Sequence, residues 1–225
     1  MLFRSILLKV SDLEIVKTWD ALGLRGSGSN TLIVDEVFVK PDAILRFSKI
    51  IEKSQPPYED FDQNYLYYNT PFYPGFYVGF PAMALGGARR VLDEFEKHTA
   101  GRVRFSGINE KDSPTSQRVL AELKMEMLSA EALMTEYINM METDKGGPYE
   151  GAKYKAIRAT IIDKCTQIGF KALLTLGGHA LLKGHPVELF TRDLIAIATH
   201  ITSLYEDGIL GYGRHLFGVQ TNIQG

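Results

Sequence analysis

A second cysteine is missing from this sequence. The 225 residues include one cysteine, Cys165, so no disulfide can form within the chain. This excludes a small secreted scaffold held together by disulfides and favours a reducing compartment. Met1–Asp12 contains a short apolar stretch without a small-residue cleavage pattern, so no signal peptide is expected there. We therefore predict a cytoplasmic protein.

An excess of positive charge is also missing. The 25 lysines and arginines are balanced by 27 aspartates and glutamates, which gives a formal charge of −2. A nucleic-acid-binding surface needs a clear basic excess. The longest run without a charged residue, Gln63–Ala88, has the length of a membrane span, but prolines and glycines interrupt it throughout. Neither a nucleic acid nor a membrane is therefore an expected partner.

The sequence has no recognisable metal-binding pattern. Four of its histidines do not follow the H-E-x-x-H spacing that places two ligands on one face of a helix: His98, His179, His185 and His215. Cys165 has no second ligand close to it in the sequence. From spacing alone, no metal site is predicted.

The N-terminal part of the chain is predicted to be β structure. Ile6–Val10 reads ILLKV and Thr31–Val39 reads TLIVDEVFV, which are short aliphatic and β-branched runs typical of strands. The glycine-rich stretch Gly23–Ser29 lacks the Gly-Lys-Ser/Thr of a phosphate loop, so a turn is favoured there. Pro41 is expected to close the segment. Two or three strands leave a face and edges exposed, so we expect them to dock on the bundle or on another chain.

Four amphipathic helices are predicted in the rest of the chain. Apolar residues recur there at three- and four-residue spacing, which indicates helices with one buried face. Ser113 and Pro114 have the pattern of a capping hydroxyl followed by a proline at the first helical position. Glycine pairs are expected to end the second and third helices. The predicted helices run over Pro81–His98, from Pro114 to Gly146, over Tyr149–Leu176, and from Pro186 to Gly208.

Short connections between long helices favour an antiparallel, up-and-down four-helix bundle, so the fold class is mainly α. We expect a partial β domain over residues 1–45, an aromatic-rich linker or folded loop over 46–80, and the bundle over 81–225. The aromatic residues of Tyr65–Phe80 are compatible with a pocket for a flat substrate and with an ordinary core or interface.

Several segments, in this order, resemble the acyl-CoA dehydrogenase superfamily. Trp19–Leu45, WDALGLRGSGSNTLIVDEVFVKPDAIL, is similar to the end of its middle β domain. Pro81–Phe95 and the following Arg102-Val-Arg-Phe105 resemble its first bundle helix and an R-x-x-F pattern. Gln117 with RVLAELKMEM resembles the next helix. Two later segments resemble the glycine turn with its Arg-Asp helix and the closing segment of the family: Leu176–Asp193 and Gly211–Gly218.

Two departures from the dehydrogenase pattern bear on function. The resemblance implies that the N-terminal helical domain and the first half of the β domain, which hold much of the flavin in the family, are not in this chain. The dehydrogenases commonly carry a catalytic glutamate after the Arg-Asp pair, but Arg192–Ile201 reads RDLIAIATHI and has no carboxylate after Asp193. The histidine in this stretch, His200, resembles instead the monooxygenase branch, whose members take reduced flavin from a separate reductase.

The resemblance implies a flavin cofactor, FAD or FMN, and a role for each candidate residue. His200 would be catalytic, either deprotonating a phenol or steadying the oxygen-activated flavin, since an imidazole can exchange a proton near pH 7. Arg102 and Gln117 would bind the flavin phosphates or ribityl chain. Gly177 and Gly178 would let the backbone approach the cofactor closely.

Each candidate residue also has a purely structural interpretation. His200 would share a helical face with Asp193, Ile197 and Leu204 and be an ordinary core histidine. Arg102 would be an exposed, ion-paired arginine and Gln117 an ordinary first-turn residue. Gly177 and Gly178 would cap the end of a helix.

The resemblance also implies partners. Family members assemble through their bundles, so we expect a homo-oligomer, most readily a tetramer, together with a flavin reductase and a polypeptide that supplies the N-terminal domain. The favoured function is a flavin-dependent oxidoreductase of the monooxygenase type. The alternatives are an acyl-CoA dehydrogenase proper, with its base elsewhere, and a non-catalytic chain that serves as an oligomerisation module.

Overall fold

The computed structural model describes residues 4–46, 70–144 and 150–219, and most of these residues are helical. The α-helices are α1 (Phe72–Tyr77), α2 (Gly79–Gly101), α3 (Pro114–Thr143), α4 (Gly151–Leu176), α5 (Pro186–Ala198) and α6 (Tyr205–Leu216). The strands are β1 (Arg4–Ile6), β2 (Glu14–Val16), β3 (Thr31–Ile33) and β4 (Ile44–Arg46). The predicted mainly α fold, a helical bundle preceded by a small β segment, is confirmed.

Helix α4 lies at the centre of the bundle. It contacts α2, α3, α5 and α6, whereas α2 packs on α3, α4 and α5. Its buried residues cover most of its circumference, and a narrower face that includes Gln167, Phe170 and Leu174 is exposed. The core around it is formed by aliphatic and aromatic side chains of all the main helices, among them Phe95, Leu123, Tyr137, Ile161, Ile168 and Leu194.

The second helix begins as predicted but is capped differently. Pro114 is at the first helical position of α3. The Ser113 hydroxyl, however, makes no capping hydrogen bond, and accepts one from Arg104 Nη2 at 3.0 Å instead. At the other end, α3 extends to Thr143. The predicted stop at Gly146-Gly147 lies outside the described residues.

The prediction of one continuous fourth helix from Pro186 to Gly208 is wrong, because the structure has two helices there. Helix α5 ends at Ala198, and α6 starts at Tyr205 after an intervening turn. The reason is local competition for backbone groups, since Thr199 Oγ1 donates to Ile195 O and His200 Nδ1 accepts from the Thr202 amide. Threonine and β-branched isoleucine also have low helix propensity. His200 therefore lies outside any helix and is exposed, so the interpretation as a core histidine is wrong.

Helical structure also begins before Pro81, inside the segment expected to be a linker or loop. Helix α1 covers Phe72–Tyr77, and α2 starts at Gly79. Prolines are tolerated here because Pro71 precedes α1 and Pro81 lies in the first turn of α2, where the amide would have no partner in the helix. The remainder of that segment, residues 47–69, lies outside the described residues.

The four strands of the described residues form two antiparallel pairs. Strand β1 pairs with β4, with Ile6 opposite Ile44, and β2 pairs with β3, with Ile15 opposite Leu32. The predicted run Thr31–Val39 is a strand only as far as Ile33. Strands β2 and β4 were not predicted. Pro41 was expected to end the β segment, but β4 follows it. Each three-residue strand is too short to show a periodic pattern.

The β segment docks on α5 through backbone contacts, which confirms the expected docking on the bundle. The Leu24 amide donates to Asp193 Oδ1 at 2.6 Å, and Arg192 Nη1 donates to Leu22 O at 2.6 Å. A Cβ added to Gly23 would lie 2.0 Å from Arg192 O, so no larger residue fits. Trp19 Nε1 donates to Leu24 O at 3.0 Å and closes the turn from the other side. The conspicuous Arg192-Asp193 pair is thus an anchor for this segment.

Among the described residues, no helix combines the length and the hydropathy that a bilayer crossing requires.

Substituting Gly23 with alanine is expected to separate the β segment from α5. The added methyl group would overlap the Arg192 carbonyl, so we expect a loss of about 1–3 kcal/mol in unfolding free energy, typical of overpacking. Limited proteolysis should then cut the 4–46 segment faster. Gly26→Ala is the control, because its Cβ would meet nothing within 4 Å. Equal stability and protease resistance in the two variants would show that the docking contact is unimportant.

Candidate functional site

The turn after α5 presents His200 in a defined orientation. Its Nδ1 lies 2.8 Å from Thr202 Oγ1 and accepts from the Thr202 amide at 3.3 Å. A backbone amide can only donate, so Nδ1 must offer a lone pair, and the proton of the neutral ring lies on Nε2. The ring packs at 4.9 Å from that of Phe80 in the first turn of α2. His200 therefore presents Nε2–H as a donor.

Arg158 of α4 holds this turn through a hydrogen bond to its backbone. Its Nη2 donates to Thr202 O, and the guanidinium carbon lies 4.5 Å from the centre of the Tyr77 ring. The residue is only 5% exposed, and burial lowers the pKa of its guanidinium. A charge removed from water this completely needs partners, and it finds them in a carbonyl oxygen and an aromatic face. We call His200, Thr202, Arg158, Tyr77 and Phe80 the His200 cluster.

The aromatic residues of α1 and Phe80 of α2 contact one another, and all of them except the exposed Phe76 are partly buried. Tyr73 and Tyr77 stack at 6.0 Å, and Phe72 and Phe76 at 5.6 Å. Tyr77 and Phe80 connect this stack to Arg158 and His200. That these aromatic residues line a substrate pocket stays a prediction. Three residues of the same aromatic segment lie outside the described residues: Tyr65, Tyr67 and Tyr68.

Arg102 and the glycine turn come together at the other end of α2. Arg102 Nη1 donates to Leu176 O at 3.4 Å, which places the guanidinium beside the start of the glycine turn. Gly177 has φ +71° and ends α4, so its predicted capping role is confirmed. A Cβ on Gly177 or Gly178 would meet nothing within 4 Å, so the backbone there faces open space. A cavity of about 410 Å³ beside it is lined by Glu94, Lys97, His98, Gly101, Arg102 and His185.

A tight hairpin between α2 and α3 fixes the position of Arg102. The Glu110 amide donates to Arg102 O at 2.8 Å, and Arg104 holds the Glu110 carboxylate with two hydrogen bonds of 2.8 and 2.6 Å. The Arg104 hydrogen bond, then that from the Ser116 hydroxyl, lowers the pKa of Glu110 to about 2. Glu110 is therefore a fixed anion that organises the hairpin.

Gln117 is not brought into the cavity. It is exposed in the first turn of α3, and its Nε2 donates to Lys111 O at 3.1 Å within the hairpin. The structure thus joins Arg102 with Gly177 and Gly178, and leaves Gln117 tied to the hairpin. A flavin role for Gln117 stays a prediction.

The two parts of the candidate site are far apart. Phe80 and Arg102 lie at opposite ends of α2, and 22 residues at 1.5 Å per residue correspond to about 33 Å. His200 contacts Phe80, whereas the cavity adjoins Arg102. This exceeds the reach of one flavin nucleotide from its ring to its phosphates, so the two ends cannot serve the same flavin within one chain.

Two features near the ends of α2 could not be predicted from the sequence. Arg158 looked like one charged residue among many on α4, and only its burial against Tyr77 and Thr202 distinguishes it. His98 is about 80 positions from His179 and His185, yet the three rings lie next to one another beside the cavity. No spacing rule could have found either, because both depend on helix packing.

The bundle, with the β segment docked on its Arg-Asp helix, defines the class of acyl-CoA-dehydrogenase-type C-terminal domains. The family model for "Acyl-CoA dehydrogenase, C-terminal domain" matches residues 78–203, more than half of the chain. The chain therefore belongs to this family.

Two of the similar proteins are named as the oxygenase parts of monooxygenases. The chain is 28% identical to the flavin-dependent monooxygenase oxygenase subunit HsaA of Rhodococcus jostii, over 96% of this chain and 58% of that protein. It is 24% identical to the oxygenase component of p-hydroxyphenylacetate 3-hydroxylase of Acinetobacter baumannii, over 93% of this chain and 51% of that protein. The chain thus spans little more than half the length of these relatives.

Solved structures agree on the fold. The 3-HSA hydroxylase of Rhodococcus sp. RHA1 superposes with a TM-score of 0.85 at 25% identity, covering 99% of this chain and 59% of that one. XiaF from Streptomyces sp., solved with FADH2 and glycerol, also gives 0.85, at 18% identity, covering 99% of this chain and 57% of that one.

The Glu110 carboxylate is expected to make stability pH-dependent. Its pKa is lowered from 4.5 to about 2 in the folded chain, so its contribution is complete above pH 4.5 and is lost as the pH falls through 2. Wild type should therefore be more stable than Glu110→Gln at pH 7, and this difference should shrink between pH 4.5 and 2. Urea unfolding across this range measures it, with Glu142→Gln, on the exposed end of α3, as control. A difference independent of pH would contradict the role of the carboxylate charge.

Proposed function

We propose that this chain supplies the C-terminal half of the oxygenase component of a two-component flavin-dependent monooxygenase that acts on an aromatic substrate. The observation that carries the proposal is His200, exposed and oriented by Thr202 beside aromatic rings, in the stretch where dehydrogenases carry a glutamate. Between Leu194 and Ile201 the chain offers no carboxylate. The named relatives, HsaA and p-hydroxyphenylacetate 3-hydroxylase, are oxygenase components, which supports the same reaction class.

The Arg102 end has the donor set that a flavin nucleotide phosphate needs. Arg102 and Lys97 contribute positive charge at the cavity, and the open backbone of Gly177 and Gly178 permits close approach. When bound, a reduced flavin, FMN or FAD, would activate dioxygen, so that one oxygen atom enters the substrate and the other leaves as water. We propose that Arg102 holds the phosphate and that Gly177 and Gly178, which have no side chains, leave room for it beside the turn.

The His200 end has the groups that an aromatic hydroxylation needs. The Nε2–H of His200 would donate a hydrogen bond to an oxygen atom of the substrate or of the bound cofactor. Arg158 acts through Thr202 by holding the turn that carries the histidine. Phe80 and Tyr77 provide flat apolar surface beside it. Of the two roles considered for His200, donating a hydrogen bond agrees better with its tautomer than removing a proton.

We further propose a homo-oligomer, most readily a tetramer, in which the Arg102 end of one chain serves the flavin of another. The distance of about 33 Å between the two ends supports this, because one flavin cannot reach both. Exposed apolar side chains on α3, among them Met125 at 58% and Leu128 at 55%, are available for contacts between copies. Light scattering should give a multiple of the 25.2 kDa chain mass, and a single species of that mass would contradict the assembly.

Flavin binding to this chain tests the cofactor proposal. We expect FMN or FAD to bind with a dissociation constant no better than about 1 μM, because much of the family's flavin site is not in the chain. Arg102→Met should weaken binding by about 10- to 100-fold, the equivalent of a charged hydrogen bond worth 1.5–3 kcal/mol. Fluorescence titration measures this, and Arg214→Met, on the exposed face of α6, is the matched control. Equal binding by both variants would exclude Arg102 as the phosphate ligand.

Two substitutions at His200 test its role in hydroxylation. Asparagine at this position keeps an acceptor for the Thr202 amide and removes Nε2, so the fold should keep its melting temperature while hydroxylation falls by about 10²–10⁴-fold. Glutamine places an amide donor near the position of Nε2 and should retain more activity than asparagine if His200 donates a hydrogen bond. The assay measures product formed with reduced flavin from a separate reductase, in the oxygenase completed with its N-terminal domain. Full activity of His200→Asn would exclude a catalytic histidine.

A further inference from the structure

Three of the five histidines in the chain meet beside the cavity at the Arg102 end. His98 lies near the end of α2, His179 in the turn after α4, and His185 immediately before α5. One ring nitrogen from each lies within 4.8 Å of the other two. The His98 and His179 rings stack at 5.5 Å, and His179 meets His185 edge-on at 5.3 Å. Three separate elements thus direct imidazoles towards one point.

His98 is the member that most needs a ligand. Its Nε2 is buried and has no hydrogen-bond partner among the described residues. Buried polar nitrogens are normally paired, so an orphan indicates a missing ion, water or ligand. Burial, followed by the positive charge of Arg102 and the two neighbouring histidines, lowers the pKa of His98. An uncharged imidazole nitrogen is the form that coordinates a metal.

We propose that His98, His179 and His185 form a binding site for a transition-metal ion of the Zn²⁺ type. Imidazole nitrogens are preferred ligands of Zn²⁺, Co²⁺ and Ni²⁺, and three histidines with an open fourth position form a common zinc geometry. Metal–nitrogen distances of about 2.0–2.1 Å place tetrahedral ligands roughly 3.4 Å apart. The nitrogens lie within 4.8 Å of one another, so metal binding requires the rings to move closer, and the exposed His179 is the least restrained of the three.

The surroundings limit the affinity of the site. His185 Nδ1 accepts from the Val187 amide at 3.2 Å and caps α5. Coordination through either nitrogen of His185 competes with this bond, because Nδ1 must then carry the metal or the ring proton. Lys97 and Arg102 repel a cation, while Glu94, also at the cavity, attracts it. The site is therefore expected to be weaker than a structural zinc site, with its fourth position facing the cavity.

Metal binding to the chain alone, without flavin, tests this site. After treatment with a chelator and dialysis, Co²⁺ titrated at pH 7.5 should bind at one ion per chain and give the visible absorption of a tetrahedral complex. Zn²⁺ should displace it, and Mg²⁺, which prefers oxygen ligands, should not. His179→Ala should weaken binding by at least about tenfold, since changes even outside the coordination shell cost 10–100-fold. His98→Ala should do the same.

His215→Ala is the matched control, because His215 is exposed on α6 and pairs with Glu150 at 3.8 Å, apart from the cluster. Circular dichroism verifies that each variant is folded, and the exposed His179 keeps the test valid if His98→Ala fails to fold. Binding of Co²⁺ that survives His179→Ala, or the absence of any binding to wild type, overturns the proposal. So does a His179-dependent site for inorganic phosphate that takes no metal. The flavin titration is a separate measurement, so either proposal can fail without the other.

Discussion

The burial of α4 is the constraint on which the rest of the structure depends. The helix packs against α2, α3, α5 and α6. Burying it requires that these helices approach it closely. Small residues make this possible. A Cβ on Gly169 would lie 3.0 Å from Thr191 Oγ1, and one on Gly208 would lie 2.9 Å from the Ala159 Cβ. At this spacing α5 and α6 are held against the central helix, and the turn between them, which carries His200, is placed over Arg158.

The length of α2 then determines what the chain can do. A helix of 23 residues keeps its two ends about 34 Å apart, so the chemistry proposed for His200 and the anion binding proposed for Arg102 would take place at separate sites. Each end is rigid for its own reason. The first is fixed by a buried guanidinium beneath a turn, and the second by a hairpin organised around the Glu110 carboxylate. The bundle thus acts as a spacer that holds the two proposed sites apart.

The sequence predicted the parts of the fold that long periodic patterns describe. Helices α2, α3 and α4 carry apolar stripes over six or more turns, and their bounds were found to within a few residues. Prediction failed where short-range side-chain bonds override periodicity, as at Thr199 and His200, and where strands have only three residues. Of the candidate residues, Arg102 lies beside the turn of Gly177 and Gly178, and their flavin-binding roles stay predictions. The buried position of Arg158 and the approach of His98 to His179 and His185 could not be predicted, because both arise from packing between separate elements.

The docking of the β segment on α5 has a consequence for how the chain folds. Leu24 and Asp193, which make this contact, are 169 positions apart, so the loop closed by their hydrogen bond includes most of the bundle. Contacts of such high sequence separation form late, since the entropy of closing the loop opposes them until intervening helices have packed. During synthesis the strands leave the ribosome long before α5 exists. Their unpaired edges stay open to other chains in that interval, which makes the β segment the part of a nascent chain most exposed to aggregation.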